Sequence, residues 1–349
     1  MTKTAVILFN LGGPDSPEAV ASFLFNLFND PAIIRLPQPL RYLVAKLISS
    51  RREKTAQDIY GKIGGGSPIL ENTMAQARAL ENALVDQGHA RRGRIKCFVC
   101  MRYWHPFADQ VTAQVKEFGP EEIILLPLYP QYSTTTTASS LKAWKTAAAK
   151  AWLNVRTKSV CCYPDEPGFI HVLTDLIRAS LREAEPHGIP RILFSAHGLP
   201  KKIVQAGDPY QWQCERTARA LVKELAVDGL DWSLCYQSRV GPLKWIGPST
   251  DDEIRRAGAD KVPVVIVPIS FVSEHSETLV EIDMECRHLA AQSGVPFYVY
   301  TSTVSTASAF INGLAALVQK ARADGKNCIS STGAQICPQD FSGCCQNQK

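Results

Sequence analysis

Short, strongly apolar runs rich in β-branched residues alternate with longer amphipathic stretches along most of this chain. Residues 123–126 and 264–267 are continuously apolar, which is typical of strands covered on both faces. The stretches between the runs repeat their apolar residues at helical spacing. This alternation predicts a βαβ order and therefore an α/β, doubly wound fold with parallel sheets. The predicted strands are residues 5–10, 95–101, 122–129, 191–196, 232–236, 262–268 and 297–300.

The length of 349 residues is enough for two compact domains. Turn-forming residues (Tyr-Pro-Asp-Glu-Pro-Gly) interrupt the alternation at residues 163–168, and the periodicity stops after Asp324. The sequence therefore predicts a first domain over residues 1–163 and a second domain over residues 164–324. Residues 325–349 are predicted as a separate cysteine-rich tail.

Charge and composition exclude several classes of protein. The net charge is +5 and the basic residues are scattered, which argues against nucleic-acid binding. The absence of a run of eighteen apolar residues, and of a cleavage site after the N-terminal apolar run, predicts a cytoplasmic chain. Gly12-Gly13 lacks the spacing of a dinucleotide-binding loop, and residues 64–67 lack the ending of a P-loop, so no nucleotide cofactor is expected.

One histidine follows a predicted strand directly. The strand over residues 191–196 runs into His197, and Gly198 and Pro200 predict a turn there. Ligands of doubly wound sheets bind beyond the carboxyl ends of the strands, where a neutral imidazole can accept a proton or bind a metal ion. The alternative is a loop histidine that is hydrogen-bonded to the backbone.

Acidic residues recur at four-residue spacing in the helix predicted after the strand at 262–268. Glu277, Glu281 and Glu285 fall on one side of an α-helix, and the opposite side is apolar. Carboxylates at i and i+4 repel each other by about 0.2–0.5 kcal/mol per pair. A solvated acidic face tolerates this repulsion, whereas a divalent cation would convert it into affinity. Carboxylate and imidazole ligands suit a cation such as Fe²⁺.

The first half of the chain places aromatic and hydroxyl side chains after predicted strand ends. Clustered aromatic rings suit the wall of a large planar ligand, although aromatic residues more often belong to a core. The hydroxyl run at residues 133–137 precedes a predicted helix, so it is interpreted as an N-cap or as an anion site at the helix N-terminus. The aromatic residues that could form such a wall are Tyr60, Tyr103, Trp104 and Tyr132, together with Trp245 from the second half of the chain.

Taken together, these segments resemble those of the ferrochelatases, over roughly residues 4–315 and in the same order. The matching segments read Asn10-Leu11-Gly12-Gly13-Pro14, Ile63-Gly64-Gly65-Gly66-Ser67-Pro68, Arg102-Tyr103 with His105-Pro106, Tyr129-Pro130-Gln131-Tyr132-Ser133, Ser195-Ala196-His197-Gly198-Leu199-Pro200, Gln237-Ser238-Arg239-Val240-Gly241-Pro242, Trp245 with Gly247-Pro248, and Glu274-His275-Ser276-Glu277-Thr278-Leu279.

The resemblance implies two Rossmann-like domains with a porphyrin cleft between them. It implies insertion of Fe²⁺ into protoporphyrin IX with release of two protons, the terminal step of haem biosynthesis. His197 and Glu277 are then the expected catalytic residues, and His197, Glu277, Glu281 and Glu285 the expected metal-handling residues. The expected porphyrin-binding residues are Leu11, Arg52, Tyr60, Ser67, Arg102, Tyr103, Tyr132, Trp245 and His275.

Two other functions stay open. A coproporphyrin III ferrochelatase would share the motifs, because the sequence does not show which side chains meet the additional propionates. A haem- or flavin-binding carrier on the same scaffold is the alternative from another class, since the run at residues 133–137 resembles a flavodoxin phosphate loop. Such a loop should, however, follow the first strand.

The last 22 residues contain four of the eleven cysteines. Some ferrochelatases carry a [2Fe–2S] cluster held by three tail cysteines and one from the body, and such clusters need four thiolate-type ligands. The resemblance implies Cys337, Cys344 and Cys345 with Cys161, for which Cys162 is an alternative, and leaves Cys328 as a spare. The competing interpretation is a disordered tail of reduced thiols.

An apolar band interleaved with basic residues covers residues 33–52. Basic amphipathic segments can lie at an anionic lipid surface, although a helix packed on its own domain shows a similar pattern. The resemblance favours a peripheral contact with the inner face of the cytoplasmic membrane. A homodimer is the further expected partner state.

Overall fold

The computed structural model describes residues 2–88, 93–239, 241 and 243–347. The last two residues of the tail, and Val240 and Pro242 of the matching segments, lie outside the described residues. The elements in chain order are β1 (Thr4–Asn10), α1 (Val20–Phe28), α2 (Gln38–Gly61), α3 (Ile69–Asp86), β2 (Ile95–Met101), α4 (Ala108–Phe118), β3 (Glu122–Pro127), α5 (Thr137–Lys150), β4 (Arg156–Cys162), α6 (Pro167–Ala184), β5 (Arg191–His197), α7 (Lys201–Gln205), α8 (Tyr210–Leu225), β6 (Trp232–Gln237), α9 (Thr250–Asp260), β7 (Val264–Pro268), a π-helix (Glu277–Glu285), α10 (Cys286–Gln292), β8 (Tyr298–Tyr300), α11 (Ser308–Ala323) and β9 (Cys328–Ser330).

Contacts divide the chain into two compact units. Unit 1 comprises residues 1–129, 133–161 and 314–333, and unit 2 comprises residues 130–132, 162–313 and 334–349. These units are discontinuous because the chain returns to the first sheet with β9. The continuous division into residues 1–163, 164–324 and 325–349 stays a prediction.

Unit 1 is built on a sheet with the strand order β2-β1-β3-β4-β9. β1 pairs in parallel with β2 and β3, and every residue of β1 is buried. Ile7 and Phe9 pack in one apolar cluster with Phe98, Val111 and Trp144. The continuous apolar run of β1 is therefore explained by its central place in a parallel sheet.

Unit 2 is built on a second sheet, with the strand order β6-β5-β7-β8. Its neighbouring strands pair in parallel, and β7 is buried along its whole length. The apolar side of the segment after β7 packs on this sheet, with Ile282 and Cys286 beside Ile266. The α/β fold class with parallel sheets is thus confirmed.

The sequence analysis missed β4 and β9. β4 contains Lys158, which is 1% exposed and donates hydrogen bonds from Nζ to three backbone carbonyls near the end of α11. Lysine is rarely buried to this extent, so the pattern of β4 did not indicate a strand. β9 is only three residues long and lies beside β4, where the Ser159 N–H donates to the Asn327 carbonyl.

The acidic segment after β7 is a π-helix over Glu277–Glu285, followed by α10. The α-helix predicted there is wrong for these residues. A π-helix bonds each N–H to the carbonyl five residues earlier, and such segments are frequent at functional sites. Apolar spacing does not encode this shift of one hydrogen-bond partner, because both helix types can bury one side. Among the described helices, none has the length and the apolarity needed to cross a membrane.

Candidate functional site

The histidine singled out in the sequence stands at the end of β5 in unit 2. β5 lies between β6 and β7, so the carboxyl ends of these parallel strands lie at one edge of the sheet. His197 is the last residue of β5, and Glu277 is the first residue of the π-helix. His197 Nδ1 and Glu277 Oε2 are 2.8 Å apart. The structure therefore brings together the two residues predicted as catalytic.

Charges around this pair set its protonation state. Burial alone would lower the pKa of His197, but the charges of Glu277 and Glu281 and the hydrogen bond to Glu277 outweigh it and raise that pKa. Burial would raise the pKa of Glu277, but the charge and hydrogen bond of His197, with the charge of His275, lower it to about 2. Glu277 is therefore ionised at neutral pH and accepts the Nδ1–H of His197. The Nε2 atom of neutral His197 can then accept a proton.

The second carboxylate of the π-helix has a different environment. Both oxygens of Glu281 accept hydrogen bonds from Ser238, one from its backbone N–H at 2.7 Å and one from its hydroxyl at 2.5 Å. Burial and the charge of Glu277 raise the pKa of Glu281 to about 7, although the Ser238 hydrogen bonds act in the opposite direction. Glu281 can thus gain or lose a proton near neutral pH. Glu285 is exposed at the end of the π-helix.

Two further predicted residues of unit 2 lie close to the pair. His275 is 5% exposed, and its Nε2 atom is 4.0 Å from Glu277 Oε1. Burial lowers the pKa of His275, and its buried Nδ1 has no hydrogen-bond partner among the described residues. Trp245 packs over the turn after His197: a Cβ on Gly198 would lie 3.3 Å from the Trp245 ring and 2.7 Å from the Gln237 carbonyl oxygen. Only glycine fits this turn.

In unit 1, a buried carboxylate that the sequence analysis missed organises two predicted porphyrin-binding residues. Asp30 Oδ2 accepts hydrogen bonds from the Arg102 guanidinium at 2.7 Å, the Tyr103 hydroxyl at 2.8 Å and the Ser139 hydroxyl at 2.5 Å. The Asp30 side chain is 2% exposed. Asp30 follows α1 in an Asn-Asp-Pro sequence that indicates only a turn, so no sequence signal connects it with Arg102.

The other predicted residues of unit 1 occupy different environments. Tyr60 is buried in the apolar cluster that also contains Tyr103, and the partly buried Leu11 packs against this cluster. Arg52 is exposed, with its guanidinium 5.9 Å from the centre of the Phe28 ring. Ser67 is half-buried and donates its N–H to the Pro14 carbonyl. In unit 2, Tyr132 is 1% exposed and its N–H donates to Gln213 Oε1.

The hydroxyl run before α5 does not act as the simple N-cap that was one of its interpretations. Thr136 stands at the N-cap position but makes no side-chain capping hydrogen bond. The Ser133 and Thr135 hydroxyl groups instead lie 2.8 Å apart. Ser139, two residues into α5, is bound to the Asp30 carboxylate. Of the polar side chains at this end of α5, Ser139 therefore contributes to the buried Asp30 cluster of unit 1.

Thiol groups gather in both units. In unit 1, the Sγ atoms of Cys161 and Cys328 lie within 4.8 Å of each other, because β9 lies beside β4. In unit 2, hydrogen bonds from the thiols of Cys337 and Cys345 lower the pKa of Cys344. Thiols grouped in this way are compatible with metal binding. Cys328, which the sequence analysis set aside as a spare, is therefore a candidate ligand.

The tail that carries the last three cysteines packs on unit 2. The Gly343 N–H donates to the Gly207 carbonyl, and the Phe341 ring lies 6.0 Å from the Trp212 ring. The Gln213 side-chain amide donates to Cys337 Sγ at 3.1 Å. These contacts order a segment that has no apolar periodicity of its own.

Comparison with known proteins shows the family of this chain. The model of the ferrochelatase family matches residues 3–322. The chain belongs to the ferrochelatase family. A ferrochelatase of Caulobacter vibrioides (strain NA1000 / CB15N) is 53% identical over 343 residues, which is 98% of this chain and 97% of that protein. A ferrochelatase of Wolbachia sp. subsp. Drosophila simulans is 55% identical over 315 residues, which is 90% of this chain and 98% of that protein.

Solved structures support the chelatase fold of this ferrochelatase-family chain. The sirohydrochlorin chelatase SirB from Bacillus subtilis subspecies spizizenii, in complex with cobalt, matches with a TM-score of 0.52 at 12% identity. The match covers 93% of this chain and 98% of that chain. At this identity the likeness concerns the fold alone.

Proposed function

We propose that this chain inserts Fe²⁺ into protoporphyrin IX, giving protohaem and releasing two protons. This is a lyase reaction of the metal-chelatase type and the terminal step of haem biosynthesis. The observation that carries the proposal is the 2.8 Å contact of His197 Nδ1 with the ionised Glu277, in a chain of the ferrochelatase family.

The reaction needs a group that takes protons from the ring nitrogens, and His197 supplies it. Glu277 accepts the Nδ1–H and so fixes the tautomer whose Nε2 atom is the base. The charge of Glu277 then stabilises the imidazolium that forms. The His197 side chain is 40% exposed, so its ring is accessible to a substrate. A single Fe²⁺ replaces both inner protons of the porphyrin ring, so two protons leave for each metal ion inserted.

Fe²⁺ is a substrate here, and oxygen and nitrogen ligands suit it. His197, Glu277, Glu281 and Glu285 are proposed to deliver the metal and to carry protons away. Glu281 suits the transfer of protons because its pKa of about 7 lets it exchange a proton at neutral pH.

The porphyrin is proposed to contact the side chains that the family resemblance implies. Aromatic and apolar groups suit its flat faces, and basic or hydroxyl groups suit its carboxylates. Asp30 keeps Arg102 and Tyr103 in fixed orientations. The proposed porphyrin-binding residues are Leu11, Arg52, Tyr60, Ser67, Arg102, Tyr103, Tyr132, Trp245 and His275.

Anaerobic incubation with Fe²⁺ and protoporphyrin IX, followed by absorbance, tests the proposal. We expect haem formation, and a loss of roughly 10²–10⁴-fold in kcat for His197→Ala. His171→Ala is the matched control, because His171 is an exposed histidine on α6. Near-normal turnover by His197→Ala would refute its role as the base.

The two other functions give different results in the same experiment. Faster insertion into coproporphyrin III than into protoporphyrin IX would identify a coproporphyrin ferrochelatase. Flavin or haem absorbance as purified, without any chelatase activity, would identify a carrier.

A [2Fe–2S] cluster is proposed as the resident cofactor. The cluster needs four thiolate-type ligands, and five cysteines are candidates for them. They are the grouped pair Cys161 and Cys328, and the tail residues Cys337, Cys344 and Cys345. The predicted ligands are Cys161, Cys337, Cys344 and Cys345. When bound, the cluster would supply four metal–sulfur links that tie the tail to the body of the chain.

Absorbance and iron content of anaerobically purified protein test the cluster. We expect Cys344→Ser to abolish the visible absorbance, and Cys97→Ser, on β2, to leave it unchanged. Serine variants of Cys161 and Cys328 then decide which of these two thiols is a ligand. A colourless, iron-free wild-type protein would exclude the cluster.

A peripheral contact with the inner face of the cytoplasmic membrane is proposed for α2. Leu40, Leu43 and Leu47 lie on one side of this helix and are 55%, 62% and 50% exposed. Basic residues on the same helix, among them Arg51, suit anionic lipid headgroups. We expect binding to anionic liposomes that Leu43→Ser weakens, whereas Ile189→Ser, at an exposed apolar residue of unit 2, does not.

A homodimer is the remaining proposal about partners, and it follows from the family resemblance alone. Sedimentation velocity at several protein concentrations tests it. A single species of 38.4 kDa at all concentrations would exclude the homodimer.

A further inference from the structure

Ser238 holds the Glu281 carboxylate from two sides. It directly follows β6, and its φ of +58° places it in the left-handed region, which non-glycine residues seldom adopt. In this conformation its N–H donates to Glu281 Oε1 at 2.7 Å and its hydroxyl donates to Glu281 Oε2 at 2.5 Å. A hydrogen bond to an ionised carboxylate is stronger than one between neutral groups.

The end of β6 that carries Ser238 is itself anchored beside His197. The buried Ser195 hydroxyl donates to Gln237 Oε1 at 2.5 Å, and the Gly198 N–H donates to the Gln237 carbonyl at 2.9 Å. Ser195 and Gly198 lie two residues before and one residue after His197. The same short segments therefore position the proton acceptor and the residue that binds Glu281.

We propose that Ser238 is a positioning residue for metal insertion, which keeps the Glu281 carboxylate oriented beside the His197–Glu277 pair. The inference rests on the proposed function and extends it to a residue that does not itself meet the metal. Each oxygen of Glu281 gives one lone pair to Ser238 and keeps another for a cation or a proton. Without the hydroxyl, the carboxylate keeps one bond and gains freedom to rotate.

Three substitutions separate the hydroxyl from the unusual backbone. Ser238→Ala removes the hydroxyl and retains a side chain at positive φ. Ser238→Gly removes the hydroxyl, keeps the N–H donor and suits the left-handed conformation. Ser238→Thr keeps the hydroxyl. Ser233→Ala is the matched control, because Ser233 lies on β6, the strand that Ser238 follows, and its hydroxyl accepts only from Arg256 among the described contacts.

The assay is anaerobic Fe²⁺ insertion into protoporphyrin IX by the full chain, with kcat and the KM of each substrate measured separately. We expect Ser238→Ala and Ser238→Gly to lose at least tenfold in kcat/KM for Fe²⁺, which corresponds to about 1.4 kcal/mol. The KM for porphyrin should stay within twofold in both, and Ser238→Thr should recover most of the activity. In a Glu281→Ala background, Ser238→Ala should have no further effect.

Other results would overturn the proposal. Full activity of Ser238→Gly would mean that only the backbone conformation matters. An equal additional loss in the Glu281→Ala background would mean that Ser238 does not act through Glu281, and a parallel rise in the KM for porphyrin would place Ser238 at the porphyrin instead. An inactive wild-type chain would refute the proposed function itself, which is a different outcome from wild-type activity that Ser238→Ala leaves unchanged.

Discussion

Replacing Glu277 with Gln tests how the His197–Glu277 pair works. Gln has nearly the same shape as Glu, and its oxygen can still accept the hydrogen bond from His197 Nδ1. The wild-type pKa of about 2 means that Glu277 carries its charge throughout the working pH range. Glu277→Gln therefore removes one negative charge beside His197 with little change in geometry.

The size of the effect follows from this contact. A hydrogen bond to a charged group contributes roughly 1.5–3 kcal/mol. Because the His197 side chain is 40% exposed, solvent screening reduces the contribution. We expect the imidazolium to lose about 1–2 kcal/mol of stabilisation, which lowers kcat roughly 5- to 30-fold.

The pH dependence supplies a second, independent result. The Glu277 charge raises the pKa of His197 against the effect of burial, so the wild-type base is inactivated by protonation from a higher pH downward. Removing the charge lowers that pKa, and the acid limb of the kcat profile must move to lower pH. Asp283→Asn is the matched control, because Asp283 lies in the same π-helix but pairs with Arg287. Full activity with an unmoved acid limb would refute the reasoning.

Three other substitutions probe the surrounding structure. Gly13→Ala should cost roughly 1–3 kcal/mol in unfolding free energy by urea titration, because its Cβ would lie 2.5 Å from Ser67 Cβ; unchanged stability would contradict that close approach. Lys158→Met should cost about 3 kcal/mol in the same titration, since it leaves buried carbonyls at the end of α11 without their charged donor. Glu281→Gln should reduce the rise in Fe²⁺ insertion through pH 7, because it removes the part that deprotonation of Glu281 adds to that of His197, and a rise equal to that of the wild type would count against this assignment.

The fold class could be predicted because the apolar runs of the central strands indicate that both faces of each strand are covered. β1, β3 and β7 are buried throughout, and their central residues are continuously apolar since both faces of each strand are covered. β4 escaped prediction because a buried lysine satisfies its charge with carbonyls far along the chain. β9 escaped because three residues contain no periodicity. Local sequence patterns do not predict a strand whose burial depends on partners far along the chain.

The family resemblance supplied the expected catalytic roles of His197 and Glu277, and the order of the strands explains why the two residues meet. His197 ends one strand and Glu277 follows the neighbouring one, so parallel pairing had to bring them to the same edge of the sheet. Asp30 could not be found in this way, because its donors come from a loop after β2 and from α5. Its importance arises from tertiary contacts, and nothing local in the sequence encodes them.

The properties of the π-helix depend both on its local sequence and on tertiary contacts. The sequence correctly indicates that Glu277 and Glu281 belong to one helical segment, but their different proton affinities come from other elements. His197 lowers the pKa of Glu277 to about 2, whereas the half-buried Glu281 lies beside that charge, and its pKa is raised to about 7. Two identical side chains four residues apart can thus hold opposite protonation states at neutral pH. One can stay charged for the base while the other exchanges protons, because β5 provides a partner that can carry positive charge and the end of β6 provides only a neutral one.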